Sequence, residues 1–195
     1  MNILEVIRER RSIGKVKDEP IPREQIEKIL EAATWAPSHF QTEPWRFFVL
    51  TGEGRRPLGE VLAEIAAEKM DDPSTEANQA RLEREKAKPF RAPVVIAVAA
   101  SPQVDNPKVI ESEELAATAA AIQNMLLAAH ALGLGAIWRT GAAAYHPKIK
   151  ELFGLEAKDH MLGFIYLGYP DMDPPRKERT PYQEKTVWIE TAQVK

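Results

Sequence analysis

The chain of 195 residues contains no cysteine. Disulfide bonds, thiolate nucleophiles and cysteine-ligated zinc sites are therefore excluded, and the absence fits a reducing compartment. Long apolar runs are also missing, since no stretch approaches the roughly 20 residues that a membrane-spanning helix needs. The first residues pass directly into a charged amphipathic helix, so we expect no signal peptide and a cytoplasmic location.

An excess of charge of one sign is lacking as well. The formal net charge is -3, which gives no general attraction to nucleic acid or to anionic membranes. The hydrophobic and charged fractions, 44% and 28%, are those of an ordinary soluble globular protein. The length fits a single domain, residues 1–195, with a sizeable core.

Apolar periodicity and the positions of proline predict an α+β fold with a central sheet flanked by helices. The predicted helices are one ending near residues 10–12, one after Pro22, and three over 56–70, 111–132 and 146–153. The predicted strands are 46–50, 93–100, 136–140 and 161–168. The helix over 111–132 is rich in alanine, so we expect it to form the spine of the core or of a subunit interface.

Two segments are polar enough to lie outside the core. Residues 71–88 have no large apolar stripe, and we interpret them as a mobile, partly helical excursion rather than a domain boundary. Residues 170–195 are rich in proline and charge, yet they contain a late cluster of Tyr182, Val187, Trp188 and Ile189. This composition predicts an arm that lies on another surface.

Two features that invite a functional interpretation favour a structural one. The glycines at 133 and 135 close a helix and open a strand, the reverse of their order in a dinucleotide-binding fingerprint, so they predict a helix cap. His130 lies within the apolar helix, where a hydrogen-bonded core histidine is more common than a metal ligand.

Two short segments could bind a phosphorylated ring compound. Arg10-Arg11-Ser12 lies at a chain turn, where two guanidinium groups and a hydroxyl could bind a phosphate. Cations at the end of a helix are also stabilised without any ligand, so this signal is weak. Trp138-Arg139-Thr140 lies at the end of a predicted strand, where it could pack on a ring or form an ordinary strand end.

The third segment is the loop 38–43, held between Pro37 and Pro44. Its Ser38, His39 and Gln41 are suited to gripping a flat polar ring, although local evidence alone favours a simple helix-to-strand connection with a capping serine. No nucleophile, metal cluster or acid–base pair is marked by spacing. The chemistry expected of such a chain is therefore that of a bound cofactor.

Several segments in order along the chain resemble one family. The N-terminal ones include Glu9-Arg-Arg-Ser-Ile, Pro20-Ile-Pro, the run from Ile29 to Ser38, and Pro44-Trp-Arg-Phe-Phe-Val. The later ones are the runs Gly133–Gly141 and Gly163–Pro170. Together they resemble the FMN-dependent nitroreductases, and most closely the small, provisionally named NAD(P)H nitroreductases. The similarity covers most of the chain.

The resemblance implies a nitroreductase-like α+β fold, with a mixed or antiparallel central sheet, in a homodimer whose FMN sites lie at the subunit interface. It implies that one subunit holds the phosphate and ribityl chain through Arg10, Arg11 and Ser12, with Trp138, Arg139 and Thr140 completing that side. The partner subunit would border the flavin ring with Trp35, Ser38, His39 and Gln41. The arm 170–195 would cover the partner.

The resemblance also implies an activity. NAD(P)H would reduce the flavin and leave, and a nitroaromatic, quinone-like or related acceptor would take its place in a ping-pong cycle. Gly14, Gln41 and Glu43 depart from residues frequent in the family, which affects the contacts expected at the pyrimidine edge of the ring. The alternatives are another reductive reaction such as dehalogenation, FMN storage or sensing without turnover, and a dimer without a cofactor.

Overall fold

A four-stranded sheet forms the centre of the computed structural model, which describes residues 2–103, 105–176 and 178–191. The strands are β1 (Trp45–Thr51), β2 (Val94–Ala100), β3 (Gly135–Arg139) and β4 (His160–Gly168). Their order is β1-β2-β4-β3, and every neighbouring pair is antiparallel. The predicted α+β class and central sheet are confirmed, and each predicted strand boundary lies within one residue of the observed one.

Helices cover both faces of the sheet. They are α1 (Ile3–Glu9), α2 (Arg23–Thr34), α3 (Arg56–Ala67), α4 (Glu76–Lys86), α5 (Glu111–Ala131) and α6 (Pro147–Leu152). Apolar side chains of α2 and α5 pack on one face, and those of α3 and α6 pack on the other. The strand β2 is buried along its whole length because both of its faces are covered. Within the described ranges, no helix is long and apolar enough to cross a membrane.

The alanine-rich helix α5 ends in the predicted glycine cap. Gly133 adopts a positive φ of 77°, and its N–H donates to the carbonyl of His130 at 3.0 Å. The N–H of Leu134 donates to Ala129 at 2.8 Å, which completes a Schellman motif. His130 itself differs from the prediction, since its buried Nε2 atom has no hydrogen-bond partner in the described part of the chain.

The excursion 71–88 contains α4, so its predicted partly helical character is confirmed. The side chain of Thr75 accepts a hydrogen bond from the N–H of Asn78 and thereby caps the helix. No residue of α4 is buried, as the missing apolar stripe indicates. The helix still packs closely on α3, because a Cβ at Gly59 would lie 2.3 Å from the carbonyl oxygen of Lys86.

The predicted arm is described over 170–176 and 178–191, and its remaining residues lie outside the described ranges. Its start is tied to the sheet by an antiparallel bridge between Val16 and Pro170. Its apolar residues Tyr182, Val187, Trp188 and Ile189 are exposed, with relative accessibilities from 63% to 81%. A contact between this arm and a partner subunit stays a prediction.

The buried carboxylate of Asp159 predicts a pH-dependent stability. Burial acts to raise its pKa, but the hydroxyl of Ser101 (2.6 Å), the N–H of Glu156 (2.9 Å) and the charge of Arg46 outweigh burial and lower it. A depressed pKa contributes stability that is present above the unfolded pKa of about 3.9 and is lost as pH falls through the folded value.

We expect Asp159→Asn to lower the free energy of unfolding at pH 7, with the difference from wild type shrinking below about pH 4. Urea unfolding of both proteins between pH 7 and 3 measures this difference. Asp18→Asn, at an exposed aspartate, is the control. A difference that stays constant across this pH range would contradict the assigned role of Asp159.

Candidate functional site

The turn that follows α1 lies on the edge strand β3. Ser12 forms a parallel bridge with Ala136, and the N–H of Ile13 donates to the carbonyl of Ala136 at 3.0 Å. This approach needs Gly135, since a Cβ there would lie 2.8 Å from Cγ2 of Ile13. The bridge therefore brings the first two predicted segments to the same edge of the sheet.

Three guanidinium groups gather at this turn. Burial lowers the pKa of Arg10, and the positive charges of Arg179 and Arg11 lower it further. The two charges that lower the pKa of Arg10 further are both cations, and no carboxylate of the described residues raises it. Such a group of like charges is suited to an anion that can take several charge-assisted hydrogen bonds, such as a phosphate.

Arg11 and Arg179 modify the expected picture. Arg11 donates from Nη1 to the carbonyls of Arg8 at 2.6 Å and Arg10 at 3.0 Å, so part of its guanidinium caps the end of α1. Its remaining N–H groups have no hydrogen-bond partner among the described residues and could serve a ligand. Arg179 belongs to the arm, and sequence reasoning missed it because no pattern distinguishes it among the neighbouring charges.

An irregularity in β4 positions the segment Trp138–Thr140. The register between β2 and β4 shifts so that Leu162 is left without a partner, and its carbonyl accepts a hydrogen bond from Nε1 of Trp138 at 2.9 Å. Gly163 follows with a φ of 127°. A Cβ at this position would lie 2.5 Å from the carbonyl oxygen of Arg139, so glycine is required for β3 to close on β4 here.

Arg139 is the least satisfied polar side chain of this edge. Its guanidinium lies over the ring of Tyr166, with 5.2 Å from Cζ to the ring centroid. Its Nε atom is buried and has no hydrogen-bond partner among the described residues. Because buried donors are almost always paired, this N–H is a candidate contact for a group outside the single chain, such as a ligand or an ordered water.

A cavity of about 340 Å³ opens beside Arg139 on the α3 and α6 face of the sheet. Lys88 and Arg91 add two further positive charges to its wall. Burial raises the pKa of the Tyr166 phenol, which also lines the cavity, although the charges of Arg139 and Arg91 act to lower it. The remaining lining residues are Leu62, Ile137, Trp138, Thr140, Ala143, Ala144 and Phe164.

Sequence reasoning missed Lys88, Arg91 and Tyr166 as site residues. The two cations lie at and just beyond the end of the segment interpreted as an excursion, and the tyrosine lies within an apolar strand. Only the pairing of β3 with β4 and the return of the chain before β2 bring them beside Arg139.

The loop 38–43 is strained and internally braced. Phe40, Gln41 and Glu43 adopt positive φ values of 55°, 55° and 48°. Each such residue costs about 1–3 kcal/mol, and residues of this kind cluster at functional sites. The hydroxyl of Ser38 accepts a hydrogen bond from the N–H of Glu43 at 2.9 Å and lies 3.1 Å from the hydroxyl of Thr42.

The four residues predicted to border the ring do not line a single groove of one chain. Trp35, exposed at 80%, lines an apolar groove of about 500 Å³ with side chains of α1, α2 and α5. Ser38 and His39 line another, of about 510 Å³, against the small side chains Ala116, Ala117 and Ala120 of α5. Gln41 is exposed and lies in neither lining.

The two sets of predicted residues attach to opposite edges of the sheet. The segments at Ser12 and Trp138 join β3, whereas the loop 38–43 leads into β1. Three strand spacings separate these edges, or roughly 14 Å. One chain therefore presents the predicted site residues in two separate halves, one cationic and one formed by the strained loop.

Known proteins of one family are similar to most of the chain. The model of the nitroreductase family matches residues 7–169. YdjA of Escherichia coli strain K12, provisionally named an NAD(P)H nitroreductase, is 38% identical over 174 residues, covering 88% of this chain and 90% of YdjA. YfhC of Bacillus subtilis strain 168, named in the same way, is 35% identical over 182 residues, covering 93% and 91%.

Solved structures are similar over nearly the whole chain. A nitroreductase-like family protein from Bacillus cereus superposes with a TM-score of 0.81 at 33% identity, covering 98% of this chain and 97% of that one. A provisionally named nitroreductase from Desulfovibrio desulfuricans, crystallised in complex with FMN, gives a TM-score of 0.71 at 30% identity and covers 98% of both chains. The predicted nitroreductase-like fold is confirmed.

We predict that Gly163→Ala destabilises the protein by about 1–3 kcal/mol, because the new methyl group meets the backbone at Arg139 and the positive φ is strained. Thermal unfolding measures the loss. Gly54→Ala is the matched control, since a Cβ there would have no atom within 4 Å. Equal melting temperatures for the two variants would show that Gly163 is not required for the closure of β3 on β4.

Proposed function

The chain belongs to the nitroreductase family, and we propose that it is an FMN-dependent oxidoreductase that uses NAD(P)H to reduce nitroaromatic, quinone-like or related acceptors. The observation that carries the proposal is the buried, unpaired Nε atom of Arg139 in the wall of a cationic cavity. An FMN complex of a relative at 30% identity and the names of the curated relatives support the cofactor and the reductant.

The polar residues of the first half fit the charges of FMN. Arg10, Arg179 and the free N–H groups of Arg11 would hold the phosphate, with Ser12 and Thr140 beside the ribityl chain. Arg139 would place its orphaned N–H against the polar part of the ring. When bound, FMN supplies two-electron chemistry that no side chain of this protein can perform.

The cationic wall has a second use beyond binding. Lys88 carries an ion pair with Glu85, whereas Arg91 and Arg139 face the cavity and Tyr166 without a carboxylate partner among the described residues. Fixed positive charge near the ring stabilises negative charge that develops there on reduction. These arginines would therefore stabilise the reduced form of the bound cofactor relative to its oxidised form.

We propose a homodimer in which each site takes one half from each chain. The two halves lie on opposite sheet edges of one chain. Each half would therefore belong to a different one of the two sites in the dimer. Exposed apolar side chains of α1, Ile3, Leu4 and Ile7, together with Trp35, provide a surface for such an interface. The arm with Trp188 provides another.

The proposed cycle is of the ping-pong type, because one open ring face would receive NAD(P)H and the acceptor in turn. In the groove lined by Ser38 and His39, the small side chains of Ala116 and Ala120 leave room for a flat ring. We propose that the loop side chains of one chain border the ring held by its partner.

Absorbance spectra of the freshly purified protein test the proposed function, with NADH and then NADPH added without oxygen. We expect flavin bands that bleach with at least one donor and return when an acceptor such as a quinone is added. Bands that persist with both donors would favour storage or sensing instead. A protein that stays colourless after addition of FMN would contradict the proposal.

Arg139→Met is expected to raise the dissociation constant of FMN at least about tenfold, since a charge-assisted hydrogen bond in a buried site is lost. Quenching of flavin fluorescence during titration of the apoprotein measures this constant. Arg23→Met removes an exposed arginine whose partner among the described residues is Glu27, and it should leave the constant unchanged. Unchanged affinity in Arg139→Met would remove Arg139 from the cofactor site.

Leu4→Glu, at a side chain that is 74% exposed, is expected to shift the protein towards monomers and to reduce FMN binding in parallel. Sedimentation velocity and the flavin titration measure the two effects. Val49→Glu, at an exposed position of β1 outside the grooves, controls for the added charge. Full FMN binding by a monomeric Leu4→Glu protein would contradict a site shared between subunits.

A further inference from the structure

A glutamate of α5 is buried, and no cation of the described residues forms an ion pair with it. Glu114 is 1% exposed and lies in the first turn of the helix, where the positive end of the helix dipole favours a carboxylate. Its hydrogen-bond donors are the hydroxyl of Thr42 at 2.5 Å, to Oε1, and the N–H of Gln103 at 3.4 Å, to Oε2.

A buried carboxylate is a poor device for stability alone. Replacing a buried charge by a well-packed apolar residue is often neutral or stabilising, so its presence points to a geometric constraint. The group that Glu114 constrains is the strained loop. Thr42 connects the carboxylate to the hydroxyl of Ser38, which in turn accepts the N–H of Glu43.

Gln103 adds two hydrogen bonds to this brace, the network of Ser38, Thr42 and Glu114 that holds the loop. The side-chain amide of Gln103 donates to the carbonyl of Thr42 at 3.4 Å, while its backbone N–H reaches the same glutamate. Three hydrogen bonds therefore join Thr42, Gln103 and Glu114, and Thr42 lies 61 and 72 residues from the other two. The unfavourable backbone angles of Phe40, Gln41 and Glu43 need a surrounding structure that fixes them.

We infer that Glu114 is a positioning residue, which holds Thr42 and thereby fixes the loop 38–43 in the conformation that presents Ser38, His39 and Gln41 to the partner's cofactor. This inference rests on the proposed function. It assigns to Glu114 no contact with substrate or cofactor. Glu114 acts through the loop. It therefore affects the ring side of the site and leaves the phosphate side, with Arg10, unchanged.

Hydrogen exchange of the FMN-loaded protein tests the brace directly. In the loop, the N–H groups of Gln41, Thr42 and Glu43 are hydrogen-bonded, at 3.1, 3.4 and 2.9 Å. Thr42→Val keeps the shape of the side chain but removes the hydroxyl, and we expect exchange of these amides at least about tenfold faster. Thr42→Ser restores the hydroxyl and should return exchange to the wild-type rate.

Kinetics distinguish positioning from a structural role. In Glu114→Ala and Thr42→Val we expect kcat/KM for a quinone acceptor to fall about tenfold, while the dissociation constant of FMN changes less than about threefold. The visible flavin bands should shift as the loop leaves the ring. Glu24→Gln changes an exposed glutamate in the first turn of α2 and controls for loss of charge at a helix start.

Each outcome decides one point. Exchange unchanged in Thr42→Val would overturn the brace. Faster exchange with unchanged flavin bands and unchanged kcat/KM would overturn positioning and leave a purely structural contact. A wild-type protein that binds no FMN or oxidises no NAD(P)H would contradict the proposed function instead, and hydrogen exchange of the FMN-free protein and its Thr42→Val variant would then still decide whether the Thr42–Glu114 contact holds the loop.

Discussion

The short parallel bridge between Ser12 and Ala136 determines how the rest of the site is arranged. It fixes the end of α1 on the edge strand β3, and it exists because Gly135 leaves room for Ile13. The bridge brings two distant segments of sequence, the turn after α1 and the strand that ends at Arg139, to the same edge of the sheet.

In the proposed function, this arrangement makes the chain incomplete by itself. The cationic half ends with an orphaned N–H at Arg139, while the loop half lies beyond two intervening strands at the other edge of the sheet. The exposed apolar side chains of α1, with Trp35 and the arm, are those expected of a surface that a second copy covers. Cofactor binding and dimer formation are therefore coupled in the proposed mechanism.

Local signals in the sequence were enough for the fold. The four strands, the cap at Gly133 and the partly helical excursion follow from periodicity, glycine and proline, and the structure confirms them. The site was predicted only where motifs carried a resemblance. Lys88, Arg179 and Glu114 were missed because their roles arise from pairing between distant segments, and the unpaired Nε2 of His130 shows the same limit. No short-range pattern encodes such contacts.

The most direct test of a site shared between subunits is complementation between two variants, each with one half of the site impaired, at an FMN concentration that leaves both nearly inactive. One carries Arg139→Met, and the other carries Ser38→Ala, His39→Ala and Gln41→Ala together. In a mixed dimer one site receives both intact halves, so random pairing predicts NAD(P)H oxidation at about a quarter of the wild-type rate. Activity that stays at the average of the two separate variants would show that each chain builds its site alone, which would contradict this account.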